Sequence, residues 1–184
     1  QGAIADYNKA IEINPQDAAA YNNRGNAKDD LGDYQGAIAD FSKAIEINPQ
    51  YNAYTNRGVS KRKSGNHKGA IADLNKAIEI NPESAIAYDE RGNVKDDLGD
   101  HQGAIADYNK AIELDPNHAC AYYDRGIANK SIGNYQGAID DYTKAIEIDS
   151  QHVDAYYNRG MSKIELRDLK GACEDWKKAA ELGD

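Results

Sequence analysis

Four histidines, two cysteines and 31 carboxylates are the side chains with which this chain could ligate a metal, attack a carbonyl or move a proton. Their spacing supports none of these reactions. His67, His101, His118 and His152 fall in separate turns or junctions, and no HxxxH, HExxH or CxxC spacing brings two metal ligands onto neighbouring turns. Cys120 and Cys173 make no disulfide framework. They are read as reduced thiols of an intracellular, cytoplasmic protein. Abundant Asp and Glu invite an acid–base role, but Lys43 with Glu46 and Lys110 with Glu113 lie three residues apart. Such pairs are helix neighbours on an exposed face. Glycines recur at helix ends and contacts and form no loop that cradles a phosphate. The reading is a non-enzymatic protein with no cofactor and no metal.

The positions of these residues follow from an internal repeat. Prolines stand at Pro15, Pro49, Pro82 and Pro116, with Ser150 in the next equivalent place. Arg-Gly pairs recur as Arg24-Gly25, Arg57-Gly58, Arg91-Gly92, Arg125-Gly126 and Arg159-Gly160. The period is 34 residues, shortened once to 33 by a deletion between Pro49 and Tyr54. In the second stretch of one unit Ala37, Ile38, Phe41, Ala44 and Ile45 are apolar, which is one face of a helix and not of a strand. Gly32-Asp33 and its equivalents Gly65-Asn66, Gly99-Asp100 and Gly133-Asn134 end one helix and cap the next. Arg167-Asp168 breaks that rule, so the last turn is expected to be strained or differently shaped. Gly2, Gly36, Gly69, Gly103, Gly137 and Gly171 sit early in the second helix, where glycine costs about 0.5–1 kcal/mol against alanine. Close backbone packing is the expected reason.

A two-helix unit of this size cannot bury its apolar face alone, and stacking neighbours supplies the missing surface. This predicts an all-α α-solenoid of stacked antiparallel helix pairs with about 11 helices. The expected organisation is a single array over 1–184. Residues 1–17 form a half repeat, and 18–50, 51–84, 85–118, 119–152 and 153–184 form repeats. QGAIADYNKAIEINP at 1–15 then reads as a second helix without its first, and residue 1 as a cut edge.

The pattern resembles the tetratricopeptide repeat family, in an Arg-Gly variant. The resemblance rests on the first-helix aromatics Tyr21, Tyr54, Tyr88, Tyr122 and Tyr156, and on the small residues Gly25, Gly58, Gly92, Gly126 and Gly160. In the second helix it rests on alanines such as Ala37 and Ala44 and on the bulky Tyr7, Phe41, Leu74, Tyr108, Tyr142 and Trp176. Arg replaces the family's usual Leu before the glycine. Lys28, Lys61, Lys95 and Lys163, with Asn129 in the fifth copy, stand where a second aromatic is common. The arginines are expected to pair with Asp40, Asp73, Asp107, Asp141 and Asp175 as a ladder, because a buried charge without a partner costs several kcal/mol. Binding of an anionic ligand is the other reading of those arginines.

The resemblance implies a right-handed α-solenoid whose first helices line a concave groove that holds a peptide or helical segment of a partner. The candidate contacts are Asn22, Asn23, Asn26, Asn56, Arg62, Lys63, Asp89, Asn93, Asp97, Tyr123, Asp124, Ile127, Tyr157, Asn158 and Met161. Asp29, Asp30, Thr55, Val59, Glu90, Asp96, Lys130, Ser131, Ile164 and Glu165 complete that face. Its charge runs acidic, basic, acidic along the units, and its C-terminal part is apolar. The lysines of the clamp with which some family members grip chaperone tails are replaced here by Asn22, Thr55 or Asp89 and by Asn52, Ile86 or Cys120. No chaperone-tail carboxylate clamp is expected. A net charge of −9 argues against nucleic acid and anionic membranes and favours basic partners. No apolar run approaches the roughly 20 residues of a membrane span. The competing expectation is an assembly module, part of a longer solenoid or self-associating through an open N-terminal helix.

Overall fold

A computed structural model describes residues 2–183. Among the described residues eleven α-helices form and no strand: α1 (Gly2–Ile13), α2 (Ala18–Asp30), α3 (Tyr34–Ile47), α4 (Tyr51–Lys63), α5 (His67–Ile80), α6 (Ala85–Asp97), α7 (His101–Leu114), α8 (Ala119–Ser131), α9 (Tyr135–Ile148), α10 (Val153–Glu165) and α11 (Leu169–Gly183). They fall into two compact units, one up to Val94 and one from Lys95, with the boundary inside α6. In the first unit α2 pairs with α3 and α4 with α5. In the second α8 pairs with α9 and α10 with α11.

The turns between paired helices are written in the sequence. Gly32, Gly65, Gly99 and Gly133 take φ of +77 to +83°, the left-handed conformation that closes the preceding helix. Asp33, Asn66, Asp100 and Asn134 then cap the next helix, each accepting from the N–H three residues on. That donor is always one of the early-helix glycines, and this corrects the expected reason for them. A Cβ at Gly36 would lie 2.1 Å from the Asp33 carboxylate, and one at Gly103 the same distance from Asp100. The glycine makes room for the capping side chain lying over the first turn, not for a neighbouring backbone.

The last turn keeps the same shape without its glycine. Arg167 sits at φ 64°, with Arg167 N–H on Ile164 and Asp168 N–H on Lys163, as Gly32 and Asp33 bond Asp29 and Lys28. Of the two expected outcomes, strain is the one observed. Unit exits are equally regular. Asn48, Asn81, Asp115 and Asp149 are all extended, although Ser150 and not proline follows the last.

Packing within a pair is glycine against a bulky side chain. A Cβ at Gly25 would lie 2.7 Å from the Phe41 ring, at Gly58 2.9 Å from Leu74, at Gly126 2.6 Å from Tyr142 and at Gly160 2.6 Å from Trp176. Phe41, Leu74 and Tyr142 are buried, as are the alanines beside them.

Across this packing runs the arginine ladder, which is more elaborate than a row of pairs. Arg24, Arg57, Arg125 and Arg159 each bond Asp40, Asp73, Asp141 and Asp175 in turn, at 2.5–2.7 Å for the closest contact. Each aspartate also receives a second donor from the first helix. Lys28, Lys61 and Lys163 approach at 2.7–2.8 Å, and Asn129 donates to Asp141 at 2.9 Å. Lys95 holds Asp107 likewise at 2.7 Å. The third arm of every arginine reaches backward to the second helix of the preceding repeat. Arg24 donates to Asn8, Arg57 to Ser42, Arg91 to Asn75, Arg125 to Asn109 and Arg159 to Thr143, at 2.6–3.1 Å. Each guanidinium also lies 5.3–5.6 Å from the ring of the tyrosine one turn earlier, within cation–π range. With its donors thus engaged, the arginine is a structural residue and not an anion receptor.

Burial alone would raise the Asp40 and Asp175 carboxyls, but the hydrogen bonds from arginine and lysine outweigh it and hold both below the ordinary value of 3.8. A carboxyl depressed in the native state stabilises fully above its unfolded value and loses that contribution as pH falls through the native one. Acid unfolding is therefore expected to set in below about pH 4. Asp40→Asn should flatten that dependence and cost about 2–3 kcal/mol near neutrality, because Arg24 and Lys28 lose their shared anion; denaturant melts at several pH values check both. Two backbone substitutions should move stability in opposite directions. Arg167→Gly relieves the left-handed residue and should gain about 1 kcal/mol. Gly126→Ala, usually mildly favourable in a helix, should cost about 1–3 kcal/mol by overpacking Tyr142. Thermal melts of the two variants give the signs.

Candidate functional site

In the first unit the first helices of successive pairs, α2, α4 and α6, are joined by their polar side chains. Asn56 donates through one amide to Asn22 at 3.3 Å and Asn26 at 3.1 Å. Ser60 donates to Asp29 at 2.6 Å, and Lys63 takes the other oxygen of the same carboxylate. Arg62 comes to 3.7 Å from Glu90. Three recesses open on this side. The first, about 200 Å³, is lined by alanines and by the amides of Asn22, Asn23, Asn48, Gln50 and Asn52. The second, about 110 Å³, lies among Tyr51, Asn52, Thr55, Asn56, Ser84 and Ile86. The third, about 240 Å³, is enclosed by Asn26, Asp29, Asp30, Phe41, Thr55, Asn56, Val59, Ile86 and Glu90. Asn52 belongs to the first two recesses, and Thr55, Asn56 and Ile86 to the last two, so the three adjoin in a row.

The row has a chemical gradient. Its first member is neutral and amide-rich, able to donate to and accept from a peptide backbone without reading side chains. Its last combines three carboxylates with apolar walls. Burial pushes the Glu90 carboxyl above its ordinary value, against the opposing pull of Arg62. Its Oε2 is shut off from solvent and accepts no hydrogen bond.

In the second unit the first helices α8 and α10 meet through Asn158, which donates to the Tyr123 hydroxyl at 3.0 Å and accepts from Lys130 at 2.8 Å. The Tyr123 ring lies 4.5 Å from His152 and 5.7 Å from Tyr142. Burial raises the Tyr123 and Tyr142 phenols above their usual value. Tyr157 and Met161 are exposed, with the Tyr157 ring 6.4 Å from Trp176.

Of the residues predicted from sequence, Asn23, Asn26, Lys63, Asp97, Tyr157 and Met161 are exposed. Asn22, Asn56, Arg62, Asn93, Tyr123, Asp124, Ile127 and Asn158 are half-buried. Asp89 differs: it is 4% exposed and is a buried residue of α6, not a surface contact. The asparagines also differ from the expectation in part, since Asn56 and Asn158 spend hydrogen bonds on joining neighbouring first helices. The residue that sequence counting passed over is Ile86, 58% exposed and shared by two recesses. Its signal was available: it stands two residues before the repeat tyrosine, where the other copies have Ala19, Asn52, Cys120 and Asp154. Among the described residues no group of His, Cys, Asp and Glu is placed to hold a metal ion, and no helix is long and apolar enough to cross a membrane.

Paired helices of 34-residue period, joined through their first helices, define an α-solenoid repeat protein. Profiles described as tetratricopeptide repeat match residues 18–51, 51–84 and 119–152, and those described as TPR repeat match 1–28 and 92–133. The chain belongs to the tetratricopeptide repeat family. Among solved structures it is similar to MamA, with 29% identity over 86% of this chain and 94% of that one and a TM-score of 0.75. It is similar to YrrB, described as a TPR protein with an unusual peptide-binding site, with 26% identity over 96% and 91% of the two chains and a TM-score of 0.68. It shares the fold of pilF of Pseudomonas aeruginosa, with a TM-score of 0.84 at 17% identity over 91% of this chain and 77% of that one. No curated protein matches it in sequence.

Proposed function

We propose that this protein is a non-enzymatic scaffold that binds a peptide segment of a protein partner along the first helices. The observation that carries this is the row of three adjoining recesses on α2, α4 and α6. Amides at one end suit the backbone of an extended segment, and separate recesses beyond them suit its side chains. Asn22, Asn23, Asn26, Asn56, Ile86 and Glu90 are the first-unit contacts in this reading. In the second unit Tyr123, Asn158, Tyr157 and Met161 are a further surface, of the aromatic and Met-rich kind that dominates binding energies. The likeness to YrrB supports peptide binding. The exposed thiols of Cys120 and Cys173, which form no disulfide, suit a reducing, cytoplasmic setting.

A second reading, self-association, is favoured by one feature. Helix α1 buries no residue, whereas α3, α5, α7 and α9 each bury four or more, and Ile13 at its end is 86% exposed. Sedimentation velocity across a wide concentration range decides it, since a mass that stays monomeric excludes assembly through α1.

The peptide reading is tested by selecting from a randomised peptide display library on the immobilised chain. Selected peptides should lose about tenfold in affinity, about 1.4 kcal/mol, on the Ile86→Ala, Asn23→Ala double variant. Its melting temperature should be unchanged, because both side chains are exposed. Equal binding to the double variant and the parent chain would remove the groove from the function.

A further inference from the structure

The third recess of the first unit is chemically unlike its neighbours. Its polar rim is anionic, through Asp29, Asp30 and Glu90, and no lysine or arginine lines it. Its walls are apolar, formed by Phe41, Val59 and Ile86. From this arrangement we infer that the recess receives the side chain of a lysine or arginine in the bound segment. The inference rests on the peptide-binding reading above and assigns one residue of the partner.

The three carboxylates are not equally available. Asp29 is answered on both oxygens, by Ser60 and Lys63. Asp30 is exposed and engages no side chain among the described residues. Glu90 is the telling one. The carboxylate accepts a hydrogen bond from Asn93, but its buried Oε2 lacks a donor, and Arg62 pairs with that oxygen only at 3.7 Å, outside hydrogen-bond distance. A buried acceptor left in that state is costly. Rotation of the Glu90 side chain toward the recess that it lines would bring an entering ammonium or guanidinium to this oxygen, supplying the donor it lacks.

The apolar walls fix which kind of cation fits. Lysine and arginine lay an aliphatic stem along apolar surface and keep the charged head at its polar edge. Val59 and Ile86 would take the stem, and Glu90 and Asp30 the head. A bare metal ion has no use for such walls, and the described residues offer no metal cluster here. The burial that raises the Glu90 carboxyl works in the same direction, because a bound cation relieves the cost of its ionised form. The neutral amides of the first recess confine the charge preference to one point of the row.

The test compares peptide-display selections on three full-length proteins: the parent chain, Glu90→Gln with Asp30→Asn, and Glu46→Gln with Glu79→Gln. The last pair changes net charge equally on exposed second-helix residues whose partners are Lys43 and Lys76. The expected result is a lysine or arginine at one fixed position of the peptides selected by the parent and by the control. That preference should be lost on the Glu90/Asp30 variant. A selected lysine peptide should weaken about tenfold on that variant, and by a similar factor when its lysine becomes norleucine. Selected peptides without a basic position, a preference that survives on the Glu90/Asp30 variant, or an equal loss on the control each overturn the inference. In all three cases peptides still bind, and sensitivity to Ile86→Ala with Asn23→Ala still reports on the groove itself. Failure to select any peptide defeats the groove reading, and this inference with it.

Discussion

The fold depends on one guanidinium per repeat. Arg24, Arg57, Arg125 and Arg159 each face three ways, to an aspartate of their own helix pair, to the ring of a tyrosine one turn back, and to a polar side chain of the preceding pair. Only the planar fork of arginine can hold these partners at once, and a lysine at the same place would hold one. The geometry dictates the rest of the unit. The buried aspartate needs the second cation or amide beside it. The tyrosine must stand three residues before the arginine. The glycine after the arginine then lets the bulky second-helix residue close the pair. A family position ordinarily filled by leucine has become ionic, and the lysine that replaces a second aromatic is part of the same exchange.

This arrangement removes chemistry from the most repetitive residues and leaves it to the variable ones. A side chain whose donors and acceptors are all answered has little left for a partner. The recesses of the first unit are instead built from positions that change between copies, such as Asn52 against Ile86, or Asn22 against Asp89. Even these are partly enlisted in structure, since Asn56 and Asn158 tie adjacent first helices. Specificity is consequently concentrated where a variable residue is neither tied nor buried. Ile86 meets that condition by its exposure, and Glu90, although half-buried and paired with Arg62, keeps one oxygen that accepts no hydrogen bond.

Helix number, pairing and turns were legible in the sequence because each has a local cause. Gly32 must be left-handed, Asp33 must cap, and Asn48 before Pro49 must leave the helix. The arginine–aspartate pairing was legible because charge at a packing position demands a partner. The lysine on the same aspartate was not, since a lysine on a helix gives no sign that it will fold inward. Gly36 was misread for a related reason. The cap side chain that excludes a Cβ there is a matter of rotamer, and pattern does not carry rotamers. Groove positions could be counted from each tyrosine, but counting cannot tell exposed Asn23 from buried Asp89, because that depends on which neighbour covers the residue. Ile86 stands outside that count, at a position where the other copies carry Ala19, Asn52, Cys120 and Asp154 and share no chemistry.

The backward arm of the arginine meets Asn8, Ser42, Asn75, Asn109 or Thr143, an amide or a hydroxyl with no fixed identity. Across the shortened connection Arg57 still reaches Ser42, 15 residues away where the others span 16. Any copy can thus follow any other, provided a small acceptor waits at that point. The joint between repeats within each unit works as a universal coupling. A gene encoding such units can lengthen, shorten or shuffle them by recombination without redesigning the seam. New binding faces can then arise by reordering old parts.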